Sequence, residues 1–280
     1  MAMEPFFLAK YRPFCPISEI IGKRHGILCR EFSPSANLQP YISCYWSIMS
    51  DSELREPIPH RVIPDGCANV IFDLNGRTYE EVGCVAGVLT KAISPPLGSR
   101  PNYMGIRFTP SGFLRFFDFP LSDLTDKAIS LEALCEREQH NFLEQLVLEG
   151  RTENKLKLLD DHLKRLLRTN AAIDSVVISA LYSIFKKWGD IRVEELSRLA
   201  NSSPRQLHRK FHRWVGLAPK TFCKIIRFQN SLRMMRHYLE CDMLSIALTA
   251  GYSDQPHFIH EFTSYYGLTP SEFPASKKNL

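Results

Sequence analysis

Along the first hundred residues the apolar positions come in short runs, rich in β-branched and aromatic side chains and bounded by proline, glycine or asparagine. YISCYWSIM (41–49), HRVIPDGCANVIFDL (60–74), EEVGCVAGVL (80–89) and YMGIRF (103–108) are of this kind. Such runs suit a pleated, half-buried surface and predict strands. With no helical stretch between them, they imply a small β-barrel or sandwich. Pro64-Asp65-Gly66 predicts a turn, because proline presets one central dihedral and glycine tolerates a positive φ. From residue 109 the spacing changes to three and four. TPSGFLRFF (109–117), LEALCEREQHNFLEQLVLEG (131–150) and ENKLKLLDDHLKRLL (153–167) then predict helices trailing the strands. Leu156, Leu159, Leu163, Leu166 and Leu167 form one stripe, expected to pack on its own domain in preference to forming a dimer seam.

The last third of the chain is helical in pattern and contains a repeat. NSSPRQLHRKFHRWVGLAP (201–219) and YSDQPHFIHEFTSYYGLTP (252–270) align with an offset of fifty-one, matching Ser202 with Ser253, Phe211 with Phe262, Gly216 with Gly267 and Pro219 with Pro270. Each copy predicts a helix entered through a polar cap, Ser203 or Asp254, and ended by its glycine. A second small helix precedes each, at VEELSRLA (193–200) and LSIALTAG (244–251), so each unit is a helix-turn-helix. Residues 220–240 join the two, with Phe222, Ile225, Ile226, Leu232, Met235 and Leu239 at helical spacing. A helix of roughly 20 residues is about 30 Å long, close to the ~34 Å rise of one duplex turn. Leu207, Phe211, Trp214, Phe258, Phe262 and Tyr265 are expected in the core, and Met234 and Met235 as core filling. The fold class is therefore α+β. The expected division is a β-rich domain over 1–130, a helical linker or dimerisation segment over 131–171, and an all-α domain over 172–280.

Charge separates this pattern from an ordinary helical hairpin. The chain carries 35 Lys and Arg against 30 Asp and Glu, a net charge of only +5. Yet from Leu196 to Leu239 there is no acid, while Arg205, Arg209, Lys210, Arg213, Lys220, Lys224, Arg227, Arg233 and Arg236 all fall inside. A solvated helix face mixes both signs, so a one-sided run points to a polyanion such as a phosphate backbone. The second unit holds Asp242, Asp254, Glu261 and Glu272 against Lys277 and Lys278, and is expected to contribute less.

Two unequal helix-turn-helix units, a long connecting helix and GYSDQPHFIHEFTSYYGLTPSEF (251–273) resemble the DNA-binding domain of the AraC/XylS family of bacterial transcription regulators. The resemblance implies major-groove reading by the second helix of each unit: Arg205, His208 and Arg209 in the first, and Gln255, Pro256, His257 and His260 in the second. Arginine can take guanine and glutamine adenine through paired hydrogen bonds. His260 stands where relatives often carry arginine, which weakens readout by the second unit. Arg213, Lys220, Lys224 and Arg227 are the expected phosphate contacts. RVIPDGCANVIFDL, AGVLTKAI (86–93) and GIRFTPSGFLRFFDFPLSDLTD (105–126) likewise resemble the sensor domain of an uncharacterised subgroup of AraC-type regulators. That resemblance implies an N-terminal β-barrel that binds a small-molecule effector or pairs subunits. Duplex DNA is the expected partner, with a homodimer and RNA polymerase as further ones.

The remaining features narrow the class. No run of 18 apolar residues occurs, and the N-terminus lacks the basic-then-apolar order of a secretion signal, so a cytoplasmic, non-membrane protein is expected. Eight cysteines, none in a C-x-x-C pair, fit a reduced compartment. Cys67 or Cys84 as a redox sensor is one alternative. A cupin-like barrel enzyme is another, but residues 1–130 hold only His25 and His60 for a metal that needs two or three histidines and a carboxylate. His60 fits better beside Arg61 and Asp65 in a turn-stabilising cluster. No enzyme and no cofactor is expected.

Overall fold

The structure, a computed structural model, describes residues 5–14, 26–134, 140–168, 172–237 and 242–273. Cys15, His25, Cys135, Leu239, Cys241, Lys277 and Lys278, together with parts of the 131–150 helix and the 220–240 helix, lie outside the described residues.

The strand-like runs build one antiparallel sheet. Its strands are β1 (Ile27–Phe32), β2 (Ile42–Ser50), β4 (Asn69–Asp73), β5 (Gly83–Ala86), β7 (Asn102–Phe108) and β8 (Ala128–Ser130), ordered β1-β2-β7-β4-β5-β8. A two-stranded ribbon, β3 (Ile58–Pro59) with β6 (Pro96–Leu97), lies apart. The expected α+β class is observed, but the sheet is open: β1 and β8 are its edges, and among the described residues no pairing closes them into a barrel. Strand alternation sends two sets of side chains to opposite faces. Tyr45, Phe72, Met104, Ile106 and Phe108 enter the main core, while Trp46, Ile48 and Tyr103 join Leu54, Ile58 and Leu97 in a small cluster on the other face. At the Pro64-Asp65-Gly66 turn, Gly66 adopts a φ of 74°, as the turn chemistry requires.

The trailing segments differ from their periodicity. TPSGFLRFF forms only a 3-10 turn, Phe113–Arg115, because Ser111 takes a φ of 75° and breaks the helical path. Its rings pack on Phe108, with Phe113 at 5.5 Å and Phe117 at 6.2 Å. The next run gives a 3-10 turn, Leu131–Leu134, and later α2 (His140–Leu148), after the short α1 (Tyr79–Val82) between β4 and β5. In α3 (Thr152–Leu166) the leucine stripe faces its own chain, and Leu159 and Leu163 are fully buried. Asp160 fixes this docking by accepting from the Ser35 N–H and the Tyr45 hydroxyl, both at 3.0 Å.

His60 does not join the expected turn cluster. Asp65 instead accepts from the Cys67 N–H at 2.8 Å and pairs with Arg107 of β7 at 3.5 Å. The His60 Nδ1 atom is buried without a hydrogen-bond partner among the described residues, and burial pushes the imidazole down to about 4. An unfolded chain takes up that proton near pH 6.5, the folded one only near 4, so this contribution is complete above about pH 6.5 and is lost as pH falls. Stability at pH 5 is expected to lie below that at pH 7 by up to about 2 kcal/mol from this residue. Urea melts of the wild type and of His60→Gln at both pH values check it: the variant should have the flatter profile, and equal profiles would remove His60 from the account.

Candidate nucleic-acid interface

The six C-terminal helices are α4 (Ser175–Lys186), α5 (Val193–Leu199), α6 (Pro204–Val215), α7 (Pro219–His237), α8 (Met243–Thr249) and α9 (Gln255–Tyr266). α5 with α6 and α8 with α9 are the two expected helix-turn-helix units, built by the same local chemistry. The Ser203 hydroxyl caps α6 by accepting from the Gln206 N–H at 3.2 Å, and the Asp254 carboxylate caps α9 by accepting from the His257 N–H at 2.7 Å. That bond and the Ser253 hydroxyl hold the Asp254 carboxyl below the usual range. Gly216 and Gly267 end the helices at φ of 80° and 81°, a conformation only glycine adopts without strain.

The core face of each second helix is as expected. Leu207, Phe211, Phe258 and Phe262 are fully buried and Tyr265 nearly so, whereas Trp214 is half-buried. The connecting helix departs from a simple amphipathic rod. Phe228, Gln229, Asn230, Ser231 and Met234 are buried besides the predicted stripe, so α7 runs through the middle of the helical region. Its 19 residues span about 28 Å.

The predicted contact residues divide into two groups. On α6, Arg205, His208 and Arg209 are exposed, and neither arginine has an ion-pair partner among the described residues. The His208 ring stacks on His212, one turn further along, at 5.5 Å. Gln206, not singled out from the sequence, is exposed beside Arg205 and carries the amide chemistry that can read adenine. Lys220 is exposed at the start of α7. On α9, His260 is exposed and lines an open depression with Pro256, Ile259, Thr263 and Ser264, while Gln255 and His257 are half-buried.

The other group is engaged inside the protein. Lys224 pairs at 2.9 Å with Glu261, a carboxylate only 5% exposed, and the His257 Nε2 stands 3.8 Å from the same oxygen. Arg227 donates to the Gly251 carbonyl at 2.8 Å and lies over the Tyr252 ring. Lys210 pairs with Asp174 at 2.7 Å, and Arg213 approaches Asp118 at 3.4 Å. The acid-free run therefore meets its acids from elsewhere in the chain. A count of charge along the sequence overstates the cationic face left for phosphate.

The cysteine alternative finds no chemical support. Burial pushes the Cys67 thiol well up, the nearby Asp65 carboxylate adds to it, and burial also raises Cys84. Reactive cysteines need the opposite, an accessible and stabilised thiolate. No helix among the described residues is long and apolar enough to cross a membrane.

The geometry agrees with comparisons to known proteins. Residues 196–276 match the family described as a helix-turn-helix domain, and residues 30–130 match a domain of unknown function, DUF6597. An uncharacterized HTH-type transcriptional regulator of Haemophilus influenzae is 31% identical over 104 residues, covering 37% of this chain and 35% of that one. The HTH-type transcriptional regulator MtrA of Neisseria gonorrhoeae is 30% identical over 81 residues, 29% of this chain and 27% of its own. The chain thus spans about a third of the length of the curated relatives it matches. ToxT from Vibrio cholerae superimposes over 89% of this chain and 97% of its own at 14% identity, with a TM-score of only 0.40. Residues 196–276 are a helix-turn-helix domain.

Proposed function

We propose that the protein is a sequence-specific bacterial transcription regulator of the AraC type, which binds duplex DNA mainly through its first helix-turn-helix. One observation carries this reading: two helices with matching polar N-caps and glycine ends stand on a single buried helix about 28 Å long, and one of them presents to solvent Arg205 and Arg209, which have no ion-pair partner among the described residues. That length is close to one duplex turn of ~34 Å, so both helices can enter successive major-groove segments on one side of DNA. Arg205, His208 and Arg209 would contact base edges, with Gln255, His257 and His260 as the weaker second set. Lys220 would meet phosphate, and Arg213 would do so by exchanging Asp118 for it. The contacts inside the protein support a different part for Lys224 and Arg227, which hold α9 and the second turn against α7. The β-rich region would modulate binding through a small-molecule effector or self-association, RNA polymerase would be the downstream partner, and the protein would act in the cytoplasm.

Mapping bound genomic fragments and then footprinting the full chain on them tests the reading. Specific protection spanning two adjacent major-groove segments is expected, and its absence on every fragment would sink it. Within the same system, Lys220→Ala should weaken all sequences alike and reduce the slope of log affinity against log salt by about 0.9. A loss confined to one sequence would instead make Lys220 a base reader.

A further inference from the structure

The three N-terminal segments that carry the sensor-domain resemblance have one structural property in common. Each meets the helix-turn-helix region. From RVIPDGC, the Pro64 carbonyl accepts from the Gln229 Nε2 of α7 at 2.7 Å, and Gln229, 5% exposed, also accepts from the Phe14 N–H at 2.8 Å. Gly66 lies so close to α7 that a Cβ there would come within 2.4 Å of the Phe222 ring. Arg61, in the same segment, stacks over Tyr266 of α9 at 4.9 Å. From AGVLTKAI, Val88 lies against Gly216, at 2.7 Å from where its Cβ would be, and Ala92 lies 3.7 Å from the corresponding point on Gly267. From the third segment, the Thr125 hydroxyl donates to the Gly216 carbonyl at 2.5 Å and Asp118 meets Arg213.

Gly216 and Gly267 are the same position of the repeat. Both helix-ending turns therefore rest on one loop, at Val88 and Ala92, four residues apart. A turn without a Cβ allows this close approach, and any larger residue at Gly216 would clash with Val88 and Leu121. A buried glutamine with both ends bonded, and stacked and apolar contacts around it, make this a packed interface and not a loose tether.

We propose that these three segments are a docking face whose occupant is the helix-turn-helix region of the same chain, and that it serves as a frame holding the two turns in register. In this docked arrangement Arg205, His208 and Arg209 of α6 and His260 of α9 remain exposed, so the docked protein is the DNA-competent one. The DNA arm of this proposal rests on the function proposed above; the docking arm does not.

Hydrogen–deuterium exchange on the full chain tests the docking. In Gln229→Met combined with Thr125→Val, amides of residues 62–67 and 88–92 are expected to exchange at least about tenfold faster, and Thr125→Ser should restore slow exchange around Gly216. Unchanged exchange in these segments would overturn the docking face. Should the double variant misfold, Ala92→Cys with Gly267→Cys in the otherwise unaltered chain replaces it; the second substitution strains the left-handed turn, but its Cβ meets nothing nearer than Ala92. A 3.7 Å Cβ separation lies within the 3.5–4.5 Å a disulfide needs, so mild oxidation should join the two peptides, as mass spectrometry would show. Two free, reactive thiols that never join would refute the placement. The joined protein should bind the footprinted fragment within about threefold of its reduced form. A loss of tenfold or more on joining would make the face a brake and overturn the frame. If neither form binds DNA, the DNA-binding reading falls and the docking face stands.

Discussion

Arg209→Ala is expected to weaken binding to the cognate duplex by about 1 to 3 kcal/mol, roughly 5-fold to 150-fold, and to relax the base preference at one step. The guanidinium is exposed on the outer face of α6, one turn beyond Arg205, and no acid among the described residues neutralises it. It is therefore free to form the two parallel hydrogen bonds to a guanine edge that single-point cations cannot make. Arg209→Lys should recover the charge without that fork, and so restore nonspecific affinity more than specificity. Titration of cognate and scrambled duplexes at fixed salt separates the two effects. An unchanged footprint and affinity in Arg209→Ala would remove this residue from the interface.

Phe262→Ala should have the largest effect on stability, a loss of about 3 to 5 kcal/mol, because a fully buried ring is replaced by a cavity. The ring is the centre of an aromatic cluster, with Phe228 at 5.5 Å, Phe258 at 5.6 Å, Tyr266 at 5.3 Å and Phe273 at 6.1 Å. Its loss removes the packing that joins α9 to α7, so the second half of the footprint should fade before the first. Urea denaturation followed by circular dichroism measures the stability change. A loss below about 1 kcal/mol would mean that the cluster repacks around the gap, contrary to the rigid packing of protein interiors.

Lys224 and Arg227 show where charge alone misleads. In the sequence they belong to an uninterrupted cationic run, and phosphate is the expected partner for them. In the fold, Glu261 and the Gly251 carbonyl come from the second unit, more than twenty residues further on, and each takes one of these cations. Arg213 and Lys210 meet Asp118 and Asp174 in the same way, from the preceding region. Among the described residues, Arg205 and Arg209 on the outside of α6 and Lys220 at the start of α7 keep no ion-pair partner, which narrows the candidate site to fewer residues than the run contains. The Gln206 side chain was visible in the sequence as an amide next to Arg205, but its exposure depended on how α6 packs.

The helical region was the most legible part. Caps, left-handed glycines and three-to-four spacing act between residues at most a few positions apart, so Ser203, Asp254, Gly216 and Gly267 announce the ends of α6 and α9 without reference to the rest of the molecule. The same locality made the Pro64-Gly66 turn and the strands recognisable. What followed from contacts between distant segments was not encoded in any local pattern. Among the described residues the sheet stays open because nothing pairs β8 with β1, Ser111 cuts short a helix its neighbours would have continued, and α7 is buried on more sides than its own stripe indicates. Local backbone preferences are carried by the residues themselves. The partner of a charge, the burial of a helix and the closure of a sheet are set only when remote parts of the chain are brought together.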